Sequence, residues 1–145
     1  MSNHSKHLRT LTAIGYWLSD REPGLPHPKN FINGQISVED RRLLTQYLER
    51  GKVLMRCLGY SFCRFNCGIP DHEMGTANLT DGNYVWPEKL SHYISIHNVW
   101  LPEPFILHIR TSVNYNPSDI ELKREDFDVK NLFNYEWWKS CQGLT

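Results

Sequence analysis

Apolar residues recur at the spacing of a helix face in residues 37–51, SVEDRRLLTQYLERG. The members of this stripe are Leu43, Leu44, Tyr47 and Leu48. Ser37 is a good N-terminal cap, and Asp40 follows three residues later, as in a capping box. Gly51 is placed to end the helix in the left-handed conformation. The pattern therefore predicts a helix over residues 37–50 that buries one face.

The next segment, residues 52–65, is apolar on both of its alternating faces. This pattern favours a well-covered strand that breaks or bulges at Gly59. Further along, Asp81 and Gly82 form a tight-turn signal between two short runs that favour strands. We therefore expect a hairpin over residues 77–86.

Three further helices are predicted after the hairpin. In the first, residues 87–97, Pro87 suits the first helical position and Asn98 suits a left-handed end. The second spans residues 102–110 and also begins with a proline. The last covers residues 129–141 and is expected to bury apolar and aromatic side chains.

The N-terminal quarter has a less regular pattern. Residues 8–19 are ambiguous, because leucines at helical spacing are followed by a Gly-Tyr-Trp cluster. Residues 22–34 contain three prolines and two glycines. They predict an extended crossing in which Phe31 and Ile32 point inward. Residues 1–7 are expected to form a disordered tail.

Taken together, these elements define an α+β fold. We expect a single domain, residues 1–145, in which a small antiparallel or mixed sheet is packed by about four helices. The length of 145 residues suits one domain with its own hydrophobic core.

Charge and hydropathy restrict the kind of partner. The chain has 16 Lys and Arg residues against 16 Asp and Glu residues, so its formal net charge is zero. This balance favours neither nucleic acid nor an anionic membrane. The two helices predicted over residues 87–97 and 102–110 resemble a helix-turn-helix motif. The second of them, however, has only Arg110 to contact DNA. We find neither a run of ~20 apolar residues nor a signal peptide, so we predict a cytoplasmic protein with reduced cysteines.

Two stretches carry a resemblance to a known family. They are RRLLTQYLERGKVLMRCLGYSFCRFNCG and MGTANLTDGNYVWPEKLSHYISIHNVWLPEPFILHI. They resemble a family of small bacterial cytosolic proteins without an established activity, with the pattern CR-x-CG … TDG-x-YVWPEGL-x-HYV-x-x-H-x-V-x-LP-x-x-F. The resemblance covers residues 14–110 and implies a shared fold, with no particular function. The chain departs from the pattern in the spacing of Cys63 and Cys67, one residue wider, in Lys89 for Gly and in Met74 for Asn.

A metal site is one possible use of the cysteines. Cys63, Cys67, His92 and His97 supply the elements of a two-cysteine, two-histidine zinc site. Positions five apart on a straight helix differ by about 140° in direction, so the two histidines are expected to point apart unless the helix ends or distorts between them. His72 offers another ligand. Because free cysteines are often small buried hydrophobes, we predict no metal and no cofactor, and keep the first four residues as candidate ligands.

Catalytic readings have less support from the sequence. Cys63 or Cys67 with a histidine and Asp71 or Asp81 would form a thiol nucleophile set, but the chain has no local signature for one. A metal-free hydrolytic site built from Asp81, Glu88 and His92 has no more support than the thiol nucleophile set. We therefore predict no catalytic residue.

The leading functional hypothesis is a non-catalytic protein-binding module. A charge-neutral chain with five tryptophans suits an immunity protein that neutralises a cognate bacterial toxin by covering its active site. The alternative is a zinc-stabilised or thiol-dependent protein, with enzyme activity left open, that uses Cys63 and Cys67 with His92. The partner surface is expected in segment 112–138. Its candidate residues are Tyr115, Glu121, Lys123, Arg124 and Trp138.

Overall fold

A computed structural model of the chain describes residues 7–112 and 114–144. Within these residues, five helices and a five-stranded mixed sheet form a single α+β domain, as the sequence predicts. The tail expected at residues 1–7 lies outside the described residues except for His7. None of the described helices combines the length and the apolar character that crossing a membrane requires.

The sheet combines antiparallel and parallel pairing. Its strands are β1 (Leu11–Ala13), β2 (Lys52–Arg56), β3 (Ala77–Thr80), β4 (Tyr84–Pro87) and β5 (Phe133–Asn134). The order across the sheet is β2-β3-β4-β1-β5. The first three pair in antiparallel fashion, and β1 pairs parallel to both β4 and β5. The hairpin predicted at residues 77–86 is confirmed, whereas the strand predicted at residues 52–65 ends at Arg56 and continues as a loop.

The helices are α1 (Val38–Glu49), α2 (Asp71–Met74), α3 (Leu90–His97), α4 (Glu103–Arg110) and α5 (Glu136–Ser140). The cap predicted for α1 is confirmed, because the hydroxyl oxygen of Ser37 accepts a hydrogen bond from the backbone N–H of Asp40 at 3.0 Å. Gly51 does not take the left-handed conformation predicted for it. A side chain is excluded there for another reason: a Cβ at Gly51 would lie 2.7 Å from the ring of Trp86.

Several boundaries differ from the sequence-based expectation. Pro87 ends β4 instead of starting a helix, and α3 begins only at Leu90. The helix predicted over residues 129–141 is reduced to α5, because the chain before it forms a short 3-10 turn and β5. Phe31 is buried as expected, but Ile32 is half exposed.

The main hydrophobic core lies between the sheet and the buried faces of α1, α3 and α4. Its helical contributors are Leu44, Tyr47, Leu48, Leu90, Tyr93, Ile94, Phe105, Ile106 and Ile109. Trp86 of β4 and Trp138 of α5 are fully buried in the same cluster. This core fixes the position of α3, which carries two residues of the site described next.

Candidate metal centre

Two cysteines and two histidines converge at one point on the surface of the domain. The group consists of Cys63, Cys67, His92 and His97, and their potential ligand atoms all lie within 4.8 Å of one another. Sγ of Cys63 lies 3.4 Å from Nε2 of His97, and Sγ of Cys67 lies 3.4 Å from Nε2 of His92. In a tetrahedral zinc site with Zn–S of about 2.3 Å and Zn–N of about 2.0 Å, sulfur and nitrogen are about 3.5 Å apart. The observed spacing therefore fits one zinc ion.

A tight turn brings the two cysteines to the same side of the chain. The backbone N–H of Asn66 donates to the carbonyl oxygen of Cys63 at 3.1 Å, which closes the turn. Asn66 and Gly68 then take left-handed conformations, with φ of 50° and 94°. Asn and Gly are the residues that tolerate this conformation best. The sequence between and after the cysteines thus directs both thiols toward α3.

The two histidines meet because the last turn of α3 is wider than an α-helical turn. The backbone N–H groups of Asn98 and Val99 both donate to the carbonyl oxygen of Tyr93, five and six residues earlier. A wider turn rotates His97 toward the side of His92. The two imidazole centroids are 5.0 Å apart. The expectation that these histidines point apart is therefore wrong. It assumed a straight helix, and the last turn of α3 is distorted.

Contacts outside the four ligands hold the cysteine turn against α3. The hydroxyl oxygen of Tyr93 accepts a hydrogen bond from the backbone N–H of Arg64 at 3.0 Å and donates one to the carbonyl oxygen of Phe62 at 3.2 Å. The ring of Phe65 stacks on His97, with centroids 4.5 Å apart. Such contacts orient ligands before a metal arrives.

The Arg64 side chain ties the same turn to the N-terminal segment. Its guanidinium donates to the carbonyl oxygens of Trp17, Leu18 and Phe62 at 3.2, 3.1 and 2.8 Å. Because it lies between the two cysteines in sequence, its bonds fix the turn that carries both thiols.

The electrostatics of Cys63 are set by burial and by the backbone around it. Burial raises the pKa of the Cys63 thiol, and hydrogen bonding from the backbone N–H groups of Phe65 and Cys67 works in the opposite direction. These N–H groups favour the thiolate, which is the form that binds a metal. A zinc ion bound there would displace the remaining thiol proton, because a coordinating thiol is deprotonated.

Both histidines are suited to metal binding at neutral pH. Burial lowers the pKa of His92, and the positive charges of His97 and Lys89 lower it further. Burial also lowers the pKa of His97. The neutral imidazole therefore predominates at neutral pH, and this is the form whose nitrogen binds a metal ion.

A second polar cluster surrounds Asp81, which the sequence places in the hairpin turn. Its carboxylate is fully buried and accepts hydrogen bonds from the hydroxyl of Tyr47 at 2.6 Å and from the backbone N–H groups of Asn83 and Tyr84. It also lies 2.7 Å from Nε2 of His108. Burial alone would raise the pKa of Asp81, but the bonds from His108, Tyr47 and the backbone outweigh it and lower the pKa. This cluster joins α1 and α4 to the hairpin.

The structure assembles the catalytic sets considered from the sequence only in part: each cysteine is paired with a histidine at 3.4 Å, but the aspartates considered with them do not belong to this group. Asp81 engages Tyr47 and His108, whereas His92 faces Cys67. A carboxylate oxygen of Glu88 accepts a hydrogen bond from the backbone N–H of Ala77 at 3.0 Å. The hydrolytic set of Asp81, Glu88 and His92 is thus divided among different partners. His72 lies on α2 and does not belong to the metal-ligand group.

The residues predicted to form a partner surface have different positions. Glu121, Lys123 and Arg124 are exposed, and Tyr115 is partly exposed while its hydroxyl donates to the carbonyl oxygen of Asp81. Trp138 is fully buried, and its Nε1–H donates to the carbonyl oxygen of Tyr16 at 2.7 Å. The expectation that Trp138 lies on a surface is therefore wrong. A binding role for the other four residues stays a prediction.

The sequence carries one further signal for the centre, besides the four residue types already considered. The spacings Cys-x3-Cys and His-x4-His both fall within the ranges that zinc sites with two cysteines and two histidines use. Comparison with protein-family models, curated proteins and solved structures found no match. The resemblance described above therefore stays a prediction.

Proposed function

We propose that this protein binds one zinc ion through Cys63, Cys67, His92 and His97, and that the ion is structural. The convergence of four ligand atoms within 4.8 Å carries this proposal. Two thiolates and two imidazoles are ligands that zinc prefers, and magnesium and calcium prefer oxygen. A structural role is supported by the number of ligands, since four protein ligands fill a tetrahedral site and leave no position for a substrate.

The ion would hold residues 57–70, here called the metal loop, against α3, through His92 near the start of the helix and His97 at its end. The loop contains both cysteines, and α3 contains both histidines. Much of the loop is exposed and contains little regular structure, so outside Cys63, Phe65 and Ile69, which pack in or against the core, few apolar contacts fix its shape. A metal bond between the loop and α3 supplies that constraint.

Cobalt(II) substitution tests the ligand set. Cobalt in place of zinc at a tetrahedral site with two thiolates is expected to give strong visible absorption and a thiolate-to-metal charge-transfer band. Cys67→Ser should weaken these features strongly, because one of the two thiolates is removed, and Cys141→Ser, at a half-buried thiol outside the site, should keep them. Weak octahedral bands in the parent protein would contradict the proposal.

A protein-binding role is the second candidate, and the metal loop itself favours it. The loop exposes three large apolar side chains: Leu58, Tyr60 and Phe62. Clustered apolar and aromatic side chains at a surface often mark contact with another protein. A rigid loop also loses less entropy on binding than a flexible one. We propose that this loop forms the partner surface of a toxin-neutralising immunity protein in the reducing cytoplasm.

Replacement of Tyr60 tests this second candidate. The matched control is Leu107→Ala, because Leu107 is similarly exposed but lies on α4. Tyr60→Ala should weaken binding to a toxin identified by coexpression with neighbouring genes by about 30-fold, or ~2 kcal/mol. The control should bind as the parent does, as measured by titration calorimetry. Equal affinity for all three proteins would exclude the metal loop as the partner surface.

A further inference from the structure

We propose that the metal centre is also a site of oxidative modification, at which a peroxide converts Cys63 and Cys67 to a disulfide and releases the zinc. This inference rests on the zinc centre proposed above. It adds a chemical event to a site that otherwise has only a structural role.

The two cysteines differ in accessibility in a way that suits this chemistry. Cys67 is exposed, so a small oxidant in solution can reach its sulfur. Cys63 is 4% exposed, which protects its sulfur from direct attack. Oxidation of thiols follows thiolate character and exposure. Cys67 is therefore the sulfur that a peroxide attacks first, and Cys63 is positioned to react with the product.

The geometry permits the second step without a large movement of the backbone. The two sulfurs belong to the group whose ligand atoms lie within 4.8 Å of one another. They are carried by a single turn with three residues between them. A disulfide needs a sulfur–sulfur distance of about 2.05 Å, and rotation of the two side chains within one turn can provide that approach.

The reaction balances with hydrogen peroxide as the oxidant. The Cys67 thiolate attacks one peroxide oxygen, the O–O bond breaks, and a sulfenic acid and a hydroxide ion form. The Cys63 thiolate then attacks the sulfenic sulfur, the S–S bond forms and the S–O bond breaks to release a second hydroxide. Two electrons pass from the two sulfurs to the peroxide, and two protons convert both hydroxides to water. The sulfurs of a disulfide do not coordinate zinc as thiolates do. His92 and His97 would then be the only remaining ligands, and the ion would dissociate.

The consequence for the protein is loss of the metal bond between the metal loop and α3. After the zinc is lost, the hydrogen bonds of Tyr93 and Arg64 still hold the turn that carries the cysteines. The loop that carries Leu58, Tyr60 and Phe62 would lose one of its attachments to α3, so its apolar side chains would be held less firmly.

The experiment uses the zinc-loaded Cys57→Ser variant, because Cys57 is another exposed thiol in the metal loop. Serine at this position can still accept the hydrogen bond that the Asn78 amide donates to the thiol. Zinc content is measured first, and hydrogen peroxide is then added in steps. Released zinc is followed with a colorimetric chelator, and tryptic peptides are analysed by mass spectrometry without reduction. A Cys63–Cys67 disulfide would join the peptides of residues 57–64 and 65–89.

We expect one zinc released for each disulfide formed, with a loss of about 2 Da from the joined peptides. A reductant supplied with zinc should restore both the thiols and the bound metal. The proposal is overturned if zinc stays bound after Cys67 is oxidised, or if zinc leaves while the sulfurs form only sulfinic or sulfonic acids. A purified chain that contains no zinc before peroxide is added would instead overturn the zinc centre, so the two failures are distinguishable.

Discussion

Cys63→Ser is expected to abolish stoichiometric zinc binding and to destabilise the domain. The reason is that a serine hydroxyl is a poor ligand for zinc, and the three ligands that remain do not complete the closed four-ligand site typical of structural zinc. We expect the free energy of unfolding to fall on the order of 3 kcal/mol or more, since structural zinc can supply about 10 kcal/mol of folding free energy in small domains. Zinc content and denaturant unfolding of the purified variant measure the two effects.

Cys57→Ser is the matched control for this change. Cys57 is an exposed thiol in the same loop, but it does not belong to the ligand group. The control should keep the zinc content and the unfolding midpoint of the parent protein. If Cys63→Ser and Cys57→Ser have the same zinc content and the same midpoint, Cys63 is not a ligand.

Asp81→Asn is expected to destabilise the fold by about 3 kcal/mol, because buried hydrogen bonds to a charged group are strong and the loss of one partner leaves others unsatisfied. The Asn side chain keeps the shape of Asp but replaces one acceptor oxygen with an N–H₂ donor. That donor would meet the Tyr47 hydroxyl or His108, both of which are bonded to the same carboxylate oxygen, Oδ2. Chemical denaturation at neutral pH measures the change.

The same variant has a defined dependence on pH. The pKa of Asp81 is lowered in the folded state. Its charged form therefore contributes stability above the unfolded pKa of about 3.9, and this contribution is lost as the pH falls through the lower folded pKa. The difference in stability between the parent and Asp81→Asn should be full at neutral pH and shrink below about pH 4. A difference that stays constant down to acid unfolding would contradict this account.

Asp40→Asn provides the control for both measurements. Asp40 lies 3.5 Å from Arg110 in an ion pair whose side chains are both partly exposed. Exposed pairs of this kind contribute about 0–1 kcal/mol. This variant should therefore lie within that range of the parent protein at neutral pH.

Local sequence signals were sufficient for much of the fold. The N-cap of α1 at Ser37, the hairpin turn at Asp81 and Gly82, and the left-handed Asn98 after α3 follow from side-chain and backbone preferences that act within a few residues. Strand β1 could not be found in this way. It has three residues, and its partners in β4 and β5 are about 70 and 120 residues away in the sequence.

The metal centre was only partly predictable for a similar reason. Its residue types and spacings are visible in the sequence, but the relative direction of His92 and His97 depends on the winding of the last turn of α3. The Asn98 cap was predicted, whereas the bonds of Asn98 and Val99 to the Tyr93 carbonyl require the folded backbone. A straight-helix assumption therefore gave the wrong direction for His97. Trp138 was misplaced because its position depends on the ring of Phe31 and the carbonyl of Tyr16, more than 100 residues away.

The ratio of zinc to protein decides whether the four ligands hold a metal ion. The protein should be purified without a histidine tag and dialysed against metal-free buffer. Its zinc content is then measured by inductively coupled plasma mass spectrometry. We predict about one zinc per chain, as a site with four protein ligands requires, and loss of this zinc in Cys63→Ser but not in Cys57→Ser. Zinc well below one per chain, in protein that also fails to take up added zinc, would contradict the proposed zinc centre.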